Sequence, residues 1–360
     1  MKRLESLDFM RGLIMVLLAL ESTGLYEHLF KVSENNFLNG FFVQFFHHPW
    51  NGLHFWDLIQ PGFMFMAGVA MAYSLHQQKQ AGASWQKLFI KILKRCGWLF
   101  FWGVLDYAVR PKGLSFELWD VLTQLSFTTL VAFLIFEWKI NYQIIFCVGL
   151  LLLTEALYRF THVTGFDQAF VDQQNFGNYM DTVLMNKINA GGWVAINCIP
   201  TAVHTIAGSM VGKIFLAGKQ SKIKQLFYAA VVCLLLGYGL DFVGVTPIIK
   251  KIATSSFTIV SLGYCLLGLL LCYWWIDLLN HKKYLFFFTV VGMNSLFIYL
   301  FFEIVAARWF NEYIANISNG VLAMVSSFTL LNQIVSSLVI FSLEWGLCYF
   351  LYQKKIFFKV

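Results

Sequence analysis

Residues 254–277 read TSSFTIVSLGYCLLGLLLCYWWID, and no Asp, Glu, Lys, Arg or His interrupts them before Asp277. A bilayer core about 30 Å thick is crossed by about 20 helical residues, so this run is long enough to span it. Its centre, Leu266-Leu-Gly-Leu-Leu-Leu-Cys272, is apolar at every position. A strand of a membrane β-barrel would instead alternate polar and apolar residues. Only a helix satisfies its own backbone along an unbroken run of this kind in lipid.

Working outward, windows of similar character lie near 8–29, 53–75, 88–109, 117–137, 142–160, 192–216, 225–243, 284–304 and 327–351. The composition agrees: of 360 residues 59% are hydrophobic and 12% charged, with mean hydropathy +0.66. Soluble domains carry about 45–50% apolar and about 25% charged residues. Disorder, nucleic-acid binding and a water-soluble α/β enzyme are thereby excluded. The sequence therefore predicts an all-α, polytopic transmembrane helix bundle of about ten spans. Residues 1–360 are read as a single membrane domain in contact with lipid, and a homodimer is compatible with it.

Charge sets the expected orientation. With the N-terminus inside, Lys31, Arg110, Lys112, Arg159, Lys187, Lys250, Lys251 and Arg308 fall outside, and the other 18 of the 26 Lys and Arg inside. The positive-inside rule then favours both termini on the cytosolic side. The first apolar run follows Met1-Lys-Arg3 and has no small-residue cleavage site after it, so it reads as a retained span. The seven cysteines show neither metal-ligand nor redox spacing, and no metal site is expected. Gly208-Ser-Met-Val-Gly212 is a small-xxx-small spacing that lets helices approach closely.

Ionisable groups inside spans are costly and mark cavities or partners. Asp106, Glu155, Asp241 and Glu344 lie near the expected span ends, where a carboxylate reaches water. Glu21 lies deeper, Glu303 lies in the ninth span, and Asp57 immediately precedes Gln60-Pro61-Gly62, a helix-bending site. Two outside loops, 30–52 and 161–191, are long enough to serve function. The first carries His47-His48-Pro49-Trp50-Asn51-Gly52. An imidazole there titrates near neutrality and suits a general base acting on an amine or hydroxyl. His204 is mid-span and reads as a histidine hydrogen-bonded to a neighbouring helix. On the residues alone, a transporter of a small polar metabolite lined by Glu21, Asp57 and Glu303 stands level with a membrane enzyme.

Resemblance separates them. Arg3-Leu-Glu-Ser-Leu-Asp8-Phe-Met-Arg11-Gly12 and the apolar run to Glu21 resemble the start of the heparan-α-glucosaminide N-acetyltransferase catalytic family. His47-His-Pro-Trp50-Asn51-Gly52, then Asp57-Leu-Ile-Gln-Pro61, resemble that family's central block. Ser255-Ser256-Phe257, Asp277, Gly292-Met-Asn294-Ser295, Glu303 and Tyr352-Gln-Lys354-Lys355 continue in the same order. Two positions depart from it: Glu21-Ser22 stands where the eukaryotic member shows asparagine, and Thr123-Gln124 where it shows Gln-Arg.

The resemblance implies transfer of acetyl from cytosolic acetyl-CoA, as co-substrate, to a sugar or glycan acceptor on the opposite face. It implies His47 as the catalytic base, with His48 or His204 as stand-ins, and Asp57 as its orienting carboxylate. Asn294, Ser295, Arg11 and Lys354 would contact CoA, and Glu21, Trp50, Asn51 and Glu303 the acceptor. A bacterial inner-membrane enzyme is the implied setting, and an inactive relative of the same fold the lesser alternative.

Overall fold

The computed structural model describes residues 4–34, 37–110, 114–218 and 222–358. Lys2, Arg3, Lys112, Lys219 and Lys359 of the charge count lie outside the described residues. In chain order the helices are α1 (Glu5–Ser22), α2 (Leu25–Val32), α3 (Asn39–Phe42), α4 (Ile59–Gln80) and α5 (Trp85–Ala108). Then come α6 (Val121–Leu134), α7 (Ile140–Phe160), α8 (Phe176–Met185), α9 (Cys198–Leu216) and α10 (Lys222–Phe242). The last are α11 (Ser255–Cys272), α12 (Leu285–Met293), α13 (Ser295–Phe301), α14 (Asn311–Ala323) and α15 (Thr329–Gln353). Among the described residues there is no strand, only an isolated bridge between Asn51 and Ile249.

Six helices are long and apolar enough to cross a membrane, or up to eight if each of two bent pairs is one span. The remaining two expected windows coincide with α5 and α6. The first carries Lys87, Lys91, Lys94 and Arg95 in its early turns. The second has 14 residues, about 21 Å of helix against the ~30 Å of a bilayer core.

The chain divides into two compact units. The larger comprises His48–Leu53 and Asp57–Leu271. Its tightest pair is α4 with α9. A Cβ added at Gly68 or Gly208 would fall under 3.0 Å from the facing backbone oxygen, of Thr205 and Phe65 respectively, and one at Gly212 would meet Ala72 Cβ at 2.6 Å. The small residues thus let two backbones touch, and Met71, Leu75, Val203 and Ile206 of this pair join Leu88 of α5 and Phe133 of α6 in one buried apolar cluster. Polar cross-links hold neighbouring helices: His204 Nε2 lies 2.8 Å from Ser261 Oγ, and Thr205 Oγ1 donates to Thr128 Oγ1 at 3.0 Å. Such bonds are made where lipid or protein offers no water as a substitute. On α7 and α10, Ile145, Leu152, Val232 and Leu235 are 60–71% exposed, as lipid-facing side chains would be.

The smaller unit comprises Met1–His47, His54–Trp56 and Cys272–Lys359. Gly12 of α1 and Gly292 of α12 meet backbone to backbone. The Asp277 carboxylate accepts the N–H groups of Glu5 (3.2 Å) and Ser6 (3.1 Å), capping the positive end of α1. The α1–α2 pair bends by 69° at Thr23-Gly24, where Gly24 takes φ +74, a conformation open to glycine. Ser22 and Thr23 hydroxyls donate back to the carbonyls of Ala19 and Leu20, both at 2.8 Å, covering carbonyls that the ending helix leaves without partners. Between Leu285–Met293 and Ser295–Ala323 the chain bends by 73°, at Asn294. Residues Tyr273–Leu278 and Phe302–Phe310 are wound as wider π-helix, a form frequent at functional sites.

Candidate functional site

A buried ion pair of the larger unit, Lys250 with Asp57, is built on a turn, residues 247–254. Thr254 Oγ1 donates to Pro247 O (2.7 Å) and accepts the Ile249 N–H (3.0 Å). Asp241 Oδ1 accepts the Ile248 N–H at 2.9 Å, and Ala253, at φ +49, closes the turn onto Lys250 O at 2.9 Å. The turn therefore presents Lys250 and Lys251 from a fixed backbone.

Against it lies the His48–Leu53 segment. The Gly52 N–H donates to Ile248 O at 2.8 Å, and Asn51 bridges to Ile249. Gly52 has φ +146, and a Cβ there would fall under 3.0 Å from His48 Nε2. Only glycine lets the imidazole of His48 lie across this turn. Asp57, 1% exposed, receives the His48 N–H on Oδ2 at 3.2 Å. Its Oδ1 is 3.6 Å from Lys250 Nζ, itself 6% exposed. Lys250 Nζ is also 5.3 Å from the Trp193 ring centroid, and Lys251 Nζ 5.8 Å from that of Trp50.

Trp50 joins the two long loops that the charge count places on one side. Its Nε1–H donates to Phe170 O at 2.8 Å, and Gly192, at φ +80, leaves room for the indole beside Asp172. The structure thus brings Asp57, Trp50 and Asn51 together with Lys250, Lys251 and Trp193. Asn51 is exposed and Trp50 half-buried.

The other expected site residues lie in the smaller unit, apart from His204 in the larger one. His47 is exposed. Glu21 is exposed and accepts the Trp56 Nε1–H at 2.9 Å. Glu303 sits in the Phe302–Phe310 π-helix, where its carbonyl accepts Arg308 Nε at 3.3 Å. Arg11 pairs with Asp8 at 3.3 Å, and Lys354 is exposed just past α15. Asn294 is 1% exposed, and its amide is held at both ends by the tail. Nδ2 donates to Ile356 O and Oδ1 accepts the Phe358 N–H, both at 3.0 Å. Ser295, half-buried, opens α13. His204 is fully buried and hydrogen-bonded, at Nδ1 to Thr201 O (3.3 Å) and at Nε2 to Ser261.

The four carboxylates expected to reach water divide. Glu155 pairs with Arg159 at 3.0 Å, and Asp241 caps the turn above. Asp106 is 0% exposed and salt-bridged to Arg110 at 2.7 Å. Glu344 is 1% exposed, because α15 runs on to Gln353 and neighbouring helices cover it.

Two buried charged groups of the larger unit had no sequence signature. Lys250 counts there only as an outside cation, although two adjacent lysines after Pro247-Ile-Ile are unusual on that side. Asp181 of α8 is buried, with Oδ1 accepting the Ala195 N–H and Oδ2 the Trp119 Nε1–H, each at 2.9 Å. Burial pushes its carboxyl up to about 7 despite those two bonds. Among the described residues no three His, Cys, Asp or Glu side chains gather as metal ligands would. Compared with models of known protein families and with curated proteins, the chain matches none.

Proposed function

We propose that the chain is an integral membrane acyltransferase of a bacterial inner membrane, crossing about ten times with both termini cytosolic. It moves an acetyl group from cytosolic acetyl-CoA to an amino sugar or glycan on the outer face. The observation that carries this is the segment after His47. His48 through Gly52 is pinned by Asp57, Ile248 and Phe170, so this part of the block that carries the family resemblance is a fixed turn over a buried carboxylate; His47 precedes it in sequence and is exposed.

In the proposed step the acceptor nitrogen attacks the thioester carbonyl, a C–N bond forms and the C–S bond breaks. His47 takes the proton from nitrogen, and the departing CoA thiolate is protonated from water. Trp50 and Asn51 offer an aromatic face and an amide to a sugar, and Arg11 and Lys354 are cations for CoA phosphates.

Protein purified in detergent, given labelled acetyl-CoA and glucosamine, transfers label, and His47→Ala abolishes transfer with the fold intact. Full transfer by that variant refutes the assignment. The transporter reading draws support from the two sharply bent spans of the smaller unit, since interrupted helices line substrate paths in transporters. Uptake of a polar metabolite by proteoliposomes without any acyl donor would favour it.

A further inference from the structure

The smaller unit contains a polar corner that the proposed chemistry does not use. Glu344 lies on α15, nine residues before the end of the helix at Gln353, hence about 14 Å inside it. It is 1% exposed. Beside it stand Ser22, the last residue of α1, and Asn311, the first of α14.

Hydrogens are short here. Ser22 Oγ has one, shared between Ala19 O at 2.8 Å and Glu344 Oε1 at 3.4 Å. The shorter contact goes to the carbonyl, which leaves the carboxyl a weak share. Asn311 Nδ2 donates to Ser22 O at 2.8 Å, and the same amide lies close enough to the carboxyl to favour its charged form, as the Ser22 hydroxyl does, against the larger opposing effect of burial. Glu344 Oε2 and Asn311 Oδ1 are both buried without a hydrogen-bond partner. Two orphan acceptors in one corner are expensive, and buried polar atoms are rarely left so. The carboxyl also faces the C-terminus of α1, the negative end of that helix's dipole, where an anion is disfavoured. A single hydrogen on Oε2 removes the charge and supplies the missing donor.

We propose that Glu344 is a proton-binding site within the membrane-spanning part of the chain, carrying its proton at neutral pH beside the α1–α2 bend. It stands apart from the acyl-transfer reading and holds whichever reaction the protein performs. The charged or titratable groups on the elements packed against this corner are Glu5, Asp8, Arg11 and Glu21 on α1, Tyr26, Glu27, His28 and Lys31 on α2, Glu312 and Tyr313 on α14, and Cys348, Tyr349 and Tyr352 on α15, with Glu303 and Arg308 on the π-helix before α14. α12 contributes none. His28 is engaged with Ser337 Oγ at 3.1 Å.

The test is infrared spectroscopy of the full chain in detergent from about pH 5 to about pH 9, together with thermal unfolding followed by tryptophan fluorescence. Wild type is expected to show a carboxylic-acid C=O band at neutral pH that Glu344→Gln lacks. The melting temperature of wild type is expected to fall as pH rises past neutrality, and that of Glu344→Gln to fall less. Glutamine imitates the neutral acid, so failure of this variant to fold counts against the proposal. Absence of the Glu344 band at pH 7 overturns it. So does a stabilisation by sodium over choline that the glutamine variant loses, which would make the corner a cation site instead.

Discussion

Lys250→Met removes the ammonium that stands 3.6 Å from the Asp57 carboxylate, with both side chains nearly sealed from water. At an effective dielectric of about 20, two unit charges at that distance attract by roughly 5 kcal/mol before desolvation is counted. Removing one member of a buried pair costs about 3–5 kcal/mol, because the surviving charge stays buried, whereas replacing both is often close to neutral. Lys250→Met alone is therefore expected to lower stability by several kcal/mol, and Asp57→Asn with Lys250→Met to recover most of it. The assay is a double-mutant cycle on detergent-solubilised protein, with unfolding read from tryptophan fluorescence. Trp193, under the Lys250 ammonium, and Trp50, beside Lys251, make the signal local as well as global. A coupling below about 0.5 kcal/mol, the scatter expected of independent sites, would refute the reading of Asp57 and Lys250 as one buried unit.

Two further outcomes follow from the same structure. The Asp181 carboxyl titrates near 7 when folded against about 4 when unfolded, so between those values the folded state binds the extra proton. The contribution of Asp181 to stability is thus fully present below about pH 4 and declines by up to roughly 4 kcal/mol as pH rises to about 7; Asp181→Asn should remove that part of the slope, and parallel pH curves for the two proteins would count against it. At Gly208 a methyl group lands on the backbone of Phe65, so Gly208→Ala should part α4 from α9 at a cost of about 1–3 kcal/mol or more. Gly97→Ala on α5, with nothing within 4 Å of the new atom, should be neutral or mildly stabilising, and equal melting shifts for both would show the close packing to be wrong.

The positions of the apolar helices were legible because a run's length and lack of charge are properties of a single stretch. Every expected window holds helix, but only six hold a helix long and apolar enough to cross a membrane, and two more a bent pair. What escaped depends on residues far apart in the chain. The bends at Thr23-Gly24 and Asn294 interrupt runs that look continuous, since Ser22, Thr23 and Asn294 are too small and too few to alter a window's hydropathy. Glu344 read as a carboxylate near water because nothing in its neighbourhood announces that Ser22 and Asn311 close over it. Of the residues gathered at the candidate site, Asp57 could be singled out by its place just before a helix-bending proline, and Trp50 and Asn51 through the family resemblance. Their cationic counterpart Lys250 comes from a turn almost two hundred residues later, and only the fold pairs them.

The clasp on Asn294 carries a consequence for biosynthesis. The gap in the helix at that residue is closed by Ile356 and Phe358, which leave the ribosome more than sixty residues afterwards. Until then the amide of Asn294 and the frayed helix ends around it must be hydrated or shielded by the insertion machinery. The smaller unit therefore reaches its final shape only after residues 356–358 have been made, and a ribosome stalled before Ile356 would leave a chain whose earlier helices are inserted but whose kink is still unlocked.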